Sequence, residues 1–212
     1  MKEEKARVYK TVVKRSLDFL LSLMAIVLLS PLIVLLTIVG CWKMKGNPFF
    51  SQERPGKDGR IFKLIKFRTM TNEKDDFGNF LPDEQRLVPY GKFLRSTSLD
   101  ELPELFNILI GQMSFIGPRP LLVKYLRYYN AYEMRRHEVR PGLTGLAQIN
   151  GRNRITWRDK FKTDVEYVDS VSFKLDCYIF FQTIKKVIKR EGIEFKSSDT
   201  VMDYFQGTNR IK

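Results

Sequence analysis

From Phe19 to Trp42 the chain carries no charged side chain and is rich in Leu, Ile and Val. As a helix rising 1.5 Å per residue, such a run reaches about 36 Å, enough to cross a hydrocarbon layer of about 30 Å. It reads as a membrane segment. It is a poor secretory signal, because Gly40-Cys41-Trp42-Lys43 offers no small-residue cleavage site after a short apolar core. The segment is therefore expected to stay in the mature protein. Ser30-Pro31 falls in its middle, where proline removes a backbone hydrogen bond, so a kink is expected. Lys14 and Arg15 flank one end and Lys43 and Lys45 the other, so the positive-inside rule does not choose between them. Two topologies stay open. One is a kinked simple span. The other enters the bilayer, breaks at Ser30-Pro31 and returns, with freed carbonyls taken by partners such as the Ser30 hydroxyl. Either way the basic remainder belongs in the cytoplasm.

That remainder is bounded by its composition. At 212 residues the chain can bury one core and a small appendage. Its 37 Lys and Arg against 24 Asp and Glu give +13, which calls for anionic partners: nucleic acid, phosphorylated metabolites or acidic lipid. Cys41 and Cys177 have no paired spacing, so neither a disulfide framework nor a zinc site is indicated, and a reducing compartment is expected. His137 is the only histidine, which excludes sites built on several imidazoles and leaves acid–base work to carboxylates or lysine.

Two adjacent carboxylates, Asp100 and Glu101, lie among cationic and Gly/Pro-punctuated segments between Arg95 and Pro120. Such an arrangement suits phosphate chemistry. An ionised carboxylate can attack phosphorus or hold a hard divalent cation, while nearby arginines keep it ionised and neutralise phosphate oxygens. Ser98-Leu99-Asp100-Glu101 also fits a capping box, in which the serine would cap a helix start and the glutamate reach back to it. Leu102, Leu105, Phe106 and Leu109 recur at helical spacing with Gly111 as a stop, and Pro103 suits a first turn, which sets both carboxylates at the positive end of a short helix. Gly117-Pro118-Arg119-Pro120 reads as a rigid turn presenting one guanidinium, a candidate phosphate ligand or a mere loop.

Upstream, Pro48 to Gln52 reads as extended, Arg54 to Gly59 as a tight connection and Arg60 to Arg68 as a return strand, together a hairpin. Period-2 alternation puts Lys66 and Arg68 on one face, either as a phosphate clamp or as a solvated strand face. Thr71 to Pro89 is polar and acidic and reads as a loop or flap. Downstream, Leu121 to His137 is helix-like and aromatic, and Arg140 to Gly145 is either a turn with a short strand or a loop cradling a nucleotide. Trp157, Phe161, Val165 and Val168 recur at helical spacing. So do Phe180, Phe181, Ile184, Val187 and Ile188, beside Lys185, Lys186, Lys189 and Arg190, as a basic amphipathic helix that lies on a membrane or packs in a core.

In their order and spacing these elements resemble the monotopic phosphoglycosyl transferases, or bacterial sugar transferases, along the whole chain. The resemblance is carried by Lys14-Arg15 ahead of the segment with Ser30-Pro31, Gln52 to Gly56, Lys66 to Met70, Leu94-Arg95 with Ser98 to Pro103, Gly117 to Pro120, Arg140 to Gly145 and Gln148 to Arg152. The small members of the family, of the PglC type, are the most similar. Where the family motif usually reads Gly-Asp-Met-Ser, this chain has Gly111-Gln112-Met113-Ser114.

The resemblance implies transfer of a phosphosugar from a UDP-sugar, first of all an N-acetylated one, to polyprenyl (undecaprenyl) phosphate. Asp100 would carry the phosphosugar covalently, and Glu101 with Asp100 would hold Mg²⁺. Lys66, Arg95, Arg119 and Arg152 would contact phosphates, and the membrane helix would be re-entrant with its turn at Ser30 and Pro31. The implied fold is α+β: a basic tail and re-entrant membrane helix over residues 1–46, a small and mainly helical catalytic domain with a β-hairpin and amphipathic interfacial helices over 47–195, and a polar tail over 196–212. The implied setting is the cytoplasmic face of the bacterial plasma membrane, in contact with its lipids. A membrane-tethered nucleic-acid binder would account for the charge, but no signature of such a module appears, and no nucleic-acid partner is expected. A non-catalytic membrane scaffold would leave the carboxylate pair and arginine turns without purpose.

Overall fold

The structure, a computed structural model, describes residues 8–151 and 155–189. Arg152, Arg190 and the tail from 196 lie outside the described residues. A π-helical turn, Tyr9–Val13, leads into the long helix α1 (Lys14–Lys43). Helical conformation continues through Pro31. Proline leaves the Val27 carbonyl without its usual backbone donor, and the Ser30 hydroxyl supplies one at 2.8 Å, as the sequence suggested.

One stripe of α1 faces the rest of the protein along its whole length. Lys14, Asp18, Ser22, Leu36 and Gly40 are its buried positions, all on one face. Between them, Ala25, Ile26 and Leu29 pack on Phe62, Leu64, Leu105, Ile108 and Met113. Leu32 and Ile33 join Leu36 on Phe67 and Leu94. At the amino end, the Lys14 ammonium and the Tyr9 hydroxyl both donate to Asp176 Oδ2 at 2.6 Å, and the Tyr167 hydroxyl donates to Oδ1 at 2.7 Å. Arg15 donates to the Ile108 and Leu109 carbonyls at 2.8 and 2.7 Å, and Asp18 accepts from Ser114 Oγ and the Phe115 amide, each at 3.1 Å. At the other end, Tyr90 donates to the Leu36 carbonyl at 2.8 Å. Leu20, Met24, Val27, Leu28, Val34, Leu35, Ile38 and Trp42 form the exposed outer flank.

The hairpin expected from the Pro-Gly and Asp-Gly pairs is present. β1 (Phe49–Pro55) and β2 (Ile61–Phe67) pair antiparallel from Phe49↔Phe67 to Pro55↔Ile61, around a turn in which Asp58 takes φ 56° and Gly59 φ 73°. Lys66 shares the face of Phe62 and Leu64, which are buried, so this face is not solvated. Arg68 lies past the end of β2, where its guanidinium turns to the Phe49 carbonyl, so the two cations do not form one clamp.

Residues 70–89 hold bridges Met70↔Leu87 and Lys74↔Phe80 and the short helix α2 (Asp83–Arg86). Next come α3 (Pro89–Thr97) and α4 (Glu104–Leu109), closed by Gly111 at φ 84°. β3 (Ser114–Ile116) pairs parallel with β4 (Gly142–Thr144). A Cβ on Gly142 would sit 2.1 Å from the Gly117 amide nitrogen, so glycine there permits backbone to pack on backbone. Of the two readings of Arg140 to Gly145, the turn with a short strand is the one found.

Leu121 to His137 is not one helix. A 3₁₀ stretch, Val123–Tyr128, gives way to α5 (Ala131–Met134) and a further 3₁₀ turn, Arg135–Glu138. The cause is a capping box: Asn130 Oδ1 accepts the Glu133 amide at 2.9 Å while Glu133 Oε2 accepts the Asn130 amide at 3.0 Å, starting a new helix. After α6 (Leu146–Asn150), the helices α7 (Trp157–Ser170) and α8 (Phe173–Ile188) stand where apolar spacing placed them. They close a core of Ile116, Val139, Ile149, Tyr167, Val168, Val171 and Ile179. Phe180, Phe181, Ile184, Val187 and Ile188 on α8 are exposed, so core packing does not account for that apolar face.

Candidate active site

The carboxylate pair sits where two helices meet. α3 ends at Ser98, whose amide reaches the Arg95 carbonyl at 3.3 Å and whose φ is 57°. A left-handed serine is strained and is held there by its surroundings. Leu99–Glu101 forms a single 3₁₀ turn, after which Leu102 and Pro103 lead into α4. The capping box expected at Ser98 is absent, because the box needs an extended serine and Ser98 makes no side-chain cap. The expected helix-end position is corrected too: α4 begins at Glu104, so Glu104 and not Asp100 or Glu101 occupies its first turn.

Cations converge on this turn from separate elements. Glu101 Oε1 accepts from Lys66 Nζ on β2 and from Arg119 Nη2 in the Gly-Pro-Arg-Pro turn, both at 2.8 Å. Lys66 Nζ also lies 2.9 Å from Glu104 Oε1. Arg95, anchored through Nε to Thr69 Oγ1 at 3.0 Å, acts on Asp100 through its charge. The structure thus brings Lys66, Arg95 and Arg119 together with Asp100 and Glu101.

The neighbouring carboxyls titrate very differently. Burial, reinforced by the Glu101 charge, pushes Asp100 up to about 6 against the pull of Lys66, Arg119 and Arg95. The arginines favour the ionised form as expected, and burial, which the sequence does not show, opposes them. Burial would raise Glu101 as well, but Lys66 and Arg119 override it and hold Glu101 well below the usual carboxylate range. Burial, then Glu101, lifts Glu104 to about 7. One carboxyl is thereby held as an anion beside a second whose proton affinity burial raises to about 6.

Sequence reasoning missed the groups that hold this arrangement in place. Arg136 donates to the Arg119 carbonyl at 2.7 Å and to Asp164 Oδ2 at 3.0 and 2.8 Å, and both members of that pair are buried. Asn107 on α4 donates to the Lys63 carbonyl and to Gln112 Oε1 at 2.8 and 2.7 Å and accepts the Ile65 amide at 3.1 Å, tying α4 to β2. Gln112 therefore serves a structural bond. An asparagine inside the apolar run of α4 was the available signal for this contact. His137, whose Nδ1–H donates to the Gly56 carbonyl at 3.2 Å, is driven down to about 4 by burial and by Arg136, and so clips the hairpin turn as a neutral ring.

Ser98 and Glu101 open onto a cleft of about 240 Å³ between α4, the β3–β4 pair, α6 and α8, with Leu105, Phe115, Leu143 and Ile184 on its walls. Among the described residues no group of three or more His, Cys, Asp or Glu is arranged to hold a metal ion. Asp100 and Glu101 nevertheless suit a hard cation of the kind that takes one or two carboxylates and completes its shell with substrate phosphates. The mutual repulsion that helps raise Asp100 is what such a cation would relieve.

Residues 9–190 match the family model described as bacterial sugar transferase. The chain is similar to the uncharacterized sugar transferase EpsL of Bacillus subtilis (strain 168), at 50% identity over 180 residues, covering 84% of this chain and 89% of that protein. It is also similar to the UDP-glucose:undecaprenyl-phosphate glucose-1-phosphate transferase of Klebsiella pneumoniae, at 42% over 190 residues, covering 82% of this chain and 40% of that protein. The UDP-galactose-lipid carrier transferase of Erwinia amylovora matches at 37% over 196 residues, covering 84% and 41% respectively. The chain thus spans most of the first relative and about two-fifths of the other two.

Proposed function

Because the chain belongs to the bacterial sugar transferase family, we propose that it moves a sugar 1-phosphate from a UDP-sugar to a polyprenyl phosphate and releases UMP. It is an enzyme of the phosphoglycosyl transferase class. The names of two relatives give UDP-glucose and UDP-galactose as donors. Neither is N-acetylated, so the donor proposed is a UDP-hexose without further restriction. The observation that carries the reading is the convergence of Lys66, Arg95 and Arg119 on an Asp–Glu pair in which burial raises Asp100 to about 6 while Lys66 and Arg119 hold Glu101 charged.

In the proposed reaction an Asp100 oxygen forms a bond to the sugar-bearing phosphorus, and the bond from that phosphorus to the bridging oxygen breaks, so that UMP leaves with the electron pair. A polyprenyl phosphate oxygen then attacks the same phosphorus and restores the Asp100 carboxylate, giving polyprenyl-diphospho-sugar. Dividing the exchange lets one site serve a water-soluble donor and a lipid acceptor in turn. Lys66, Arg95 and Arg119 would turn from carboxylates to donor phosphates and offset their charge. Mg²⁺ held by Asp100 and Glu101 would supply further neutralisation of the diphosphate. Mass spectrometry of the intact protein with donor and Mg²⁺ but no acceptor is expected to show an added hexose phosphate. UMP formation that occurs only with acceptor, and without any adduct, would point to direct transfer.

The pH dependence follows from Asp100. The protonated carboxyl cannot attack, so kcat/KM for the donor is expected to rise about tenfold per unit up to about pH 6 and then level off. UMP release measured between about pH 5 and 8 checks this, and a flat profile counts against Asp100 as the attacking group.

For the membrane helix we propose a one-leaflet arrangement on the cytoplasmic face, in which a return to that face is made by a bend at Ser30-Pro31 and not by the break in the helix that the sequence suggested, since α1 stays helical throughout. Its support is that the buried stripe of α1, from Lys14 to Gly40, lies against the globular part over about 39 Å. A spanning helix would carry one of those ends to the far side of the bilayer. The exposed apolar face of α8, bordered by Lys185, Lys186 and Lys189, suits the same interface, with its cations near lipid phosphates.

A further inference from the structure

Gln148, on α6, is a polar residue that the phosphate chemistry above does not use, and it lines the cleft that Ser98 and Glu101 share. Its Nε2 donates to the Leu143 carbonyl at 3.2 Å. That bond fixes the amide, since the flipped orientation would set oxygen against oxygen. Oε1 is consequently a buried acceptor with no hydrogen-bond partner. The two threonine hydroxyls on the same walls are already engaged: Thr183 donates to the Ile179 carbonyl at 2.8 Å, and Thr144 is paired with Thr183 at 2.8 Å. A buried oriented acceptor without a donor is costly, and a mostly apolar cleft carrying a few placed polar groups is the usual form of a small-molecule site.

We propose that Gln148 Oε1 reads the donor substrate by accepting a hydrogen bond from one of its O–H or N–H groups, an inference that rests on the function proposed above. The acceptor substrate cannot fill this role, because a polyprenyl phosphate brings hydrocarbon and, when ionised, only accepting oxygens. A UDP-sugar carries donor hydrogens in two places, on the transferred sugar and on the uridine. Gln148 is thus a determinant of donor recognition, separate from the cations that hold the phosphates.

The test is Gln148→Met, which keeps length and removes the acceptor. Donor KM is expected to rise about tenfold, the size of one hydrogen bond, with kcat at saturating donor close to wild type, while the unfolding midpoint without ligand falls by what the lost bond to the Leu143 carbonyl contributed. Inhibition by UDP separates the two sources. An inhibition constant raised by the same factor assigns the contact to the uridine half, and an unchanged one assigns it to the sugar. The rise in unfolding midpoint on adding UDP-sugar, compared between wild type and Gln148→Leu, gives the same reading without turnover. Unchanged donor KM and thermal shift would overturn the proposal and leave Oε1 to water. Failure of the wild-type protein to yield UMP from any UDP-sugar would instead count against the function itself.

Discussion

Asp100→Asn is expected to reduce UMP release from the donor by about 10⁴-fold or more, the range seen when a covalent nucleophile is removed. The neutral amide has the shape of the carboxylate but not its charge, and it cannot form the acyl phosphate. The 3₁₀ turn of Leu99–Glu101 should persist, because asparagine tolerates turns as well as aspartate does. Stability is expected to hold or to improve. A carboxyl raised to about 6 by burial and by Glu101 binds its proton more tightly folded than unfolded, so it weighs against the fold increasingly from about pH 4 to pH 6 and fully above. Asparagine removes that penalty. A combined measurement of UMP release, intact mass and thermal unfolding checks all three points. An Asn variant that retains a tenth of wild-type UMP release would remove Asp100 from the role of nucleophile.

The largest loss of stability is expected from Asp176→Ala. This one carboxylate accepts from Lys14, Tyr9 and Tyr167, and with only 11% of the Lys14 side chain and 8% of the Asp176 side chain exposed the ion pair is largely buried. Removing one member strands the other's charge and costs about 3–5 kcal/mol. Two tyrosine hydroxyls lose their acceptor as well. Because Tyr9 and Lys14 belong to the entry into α1 while Tyr167 and Asp176 belong to α7 and α8, the loss should concentrate where the membrane helix joins the globular part. Thermal unfolding and trypsin cleavage in the same detergent would register it, as a lower midpoint and faster cutting at Lys10, Lys14 and Arg15. A midpoint within a degree or two of wild type would show that the network is not what secures this end.

The parts of this protein legible in its sequence are those decided locally. Pro-Gly and Asp-Gly pairs fix the hairpin turn, and the recurrence of Trp157, Phe161, Val165 and Val168 fixes α7, because both signals act within a few residues. Pro31 and Ser30 likewise settle their own hydrogen-bond accounting. Contacts between distant parts were not legible. Arg136 and Asp164 are 28 positions apart, Lys14 and Asp176 are 162 apart, and no spacing rule joins them. Glu104 was passed over in the sequence, and only the fold, in which β2 delivers Lys66 beside it, makes it part of the site. The same short pattern misled in one place and was passed over in another. Ser-x-x-Glu at Ser98 forms no box, because the end of α3 forces the serine left-handed and Lys66 and Arg119 draw Glu101 away. Asn-x-x-Glu at Asn130 forms one and divides what looked like a single helix. The proton affinity of Asp100 belongs to the second class too: the arginines are visible in the sequence, but the burial that outweighs them exists only once the chain has folded.

The inward stripe of α1 makes this hydrophobic helix a roof more than a tether. Ala25, Ile26 and Leu29 cover the cluster around Ile108, and Leu32, Ile33 and Leu36 cover the one around Leu94. A shortened protein starting at Asn47 would leave two of its interior clusters open to water along the side that α1 covers. Extraction with mild detergent replaces only what the outer flank touches. Cutting the helix away takes part of the core with it, so the catalytic portion and its membrane piece behave as one folding unit and not as a soluble enzyme with a detachable foot.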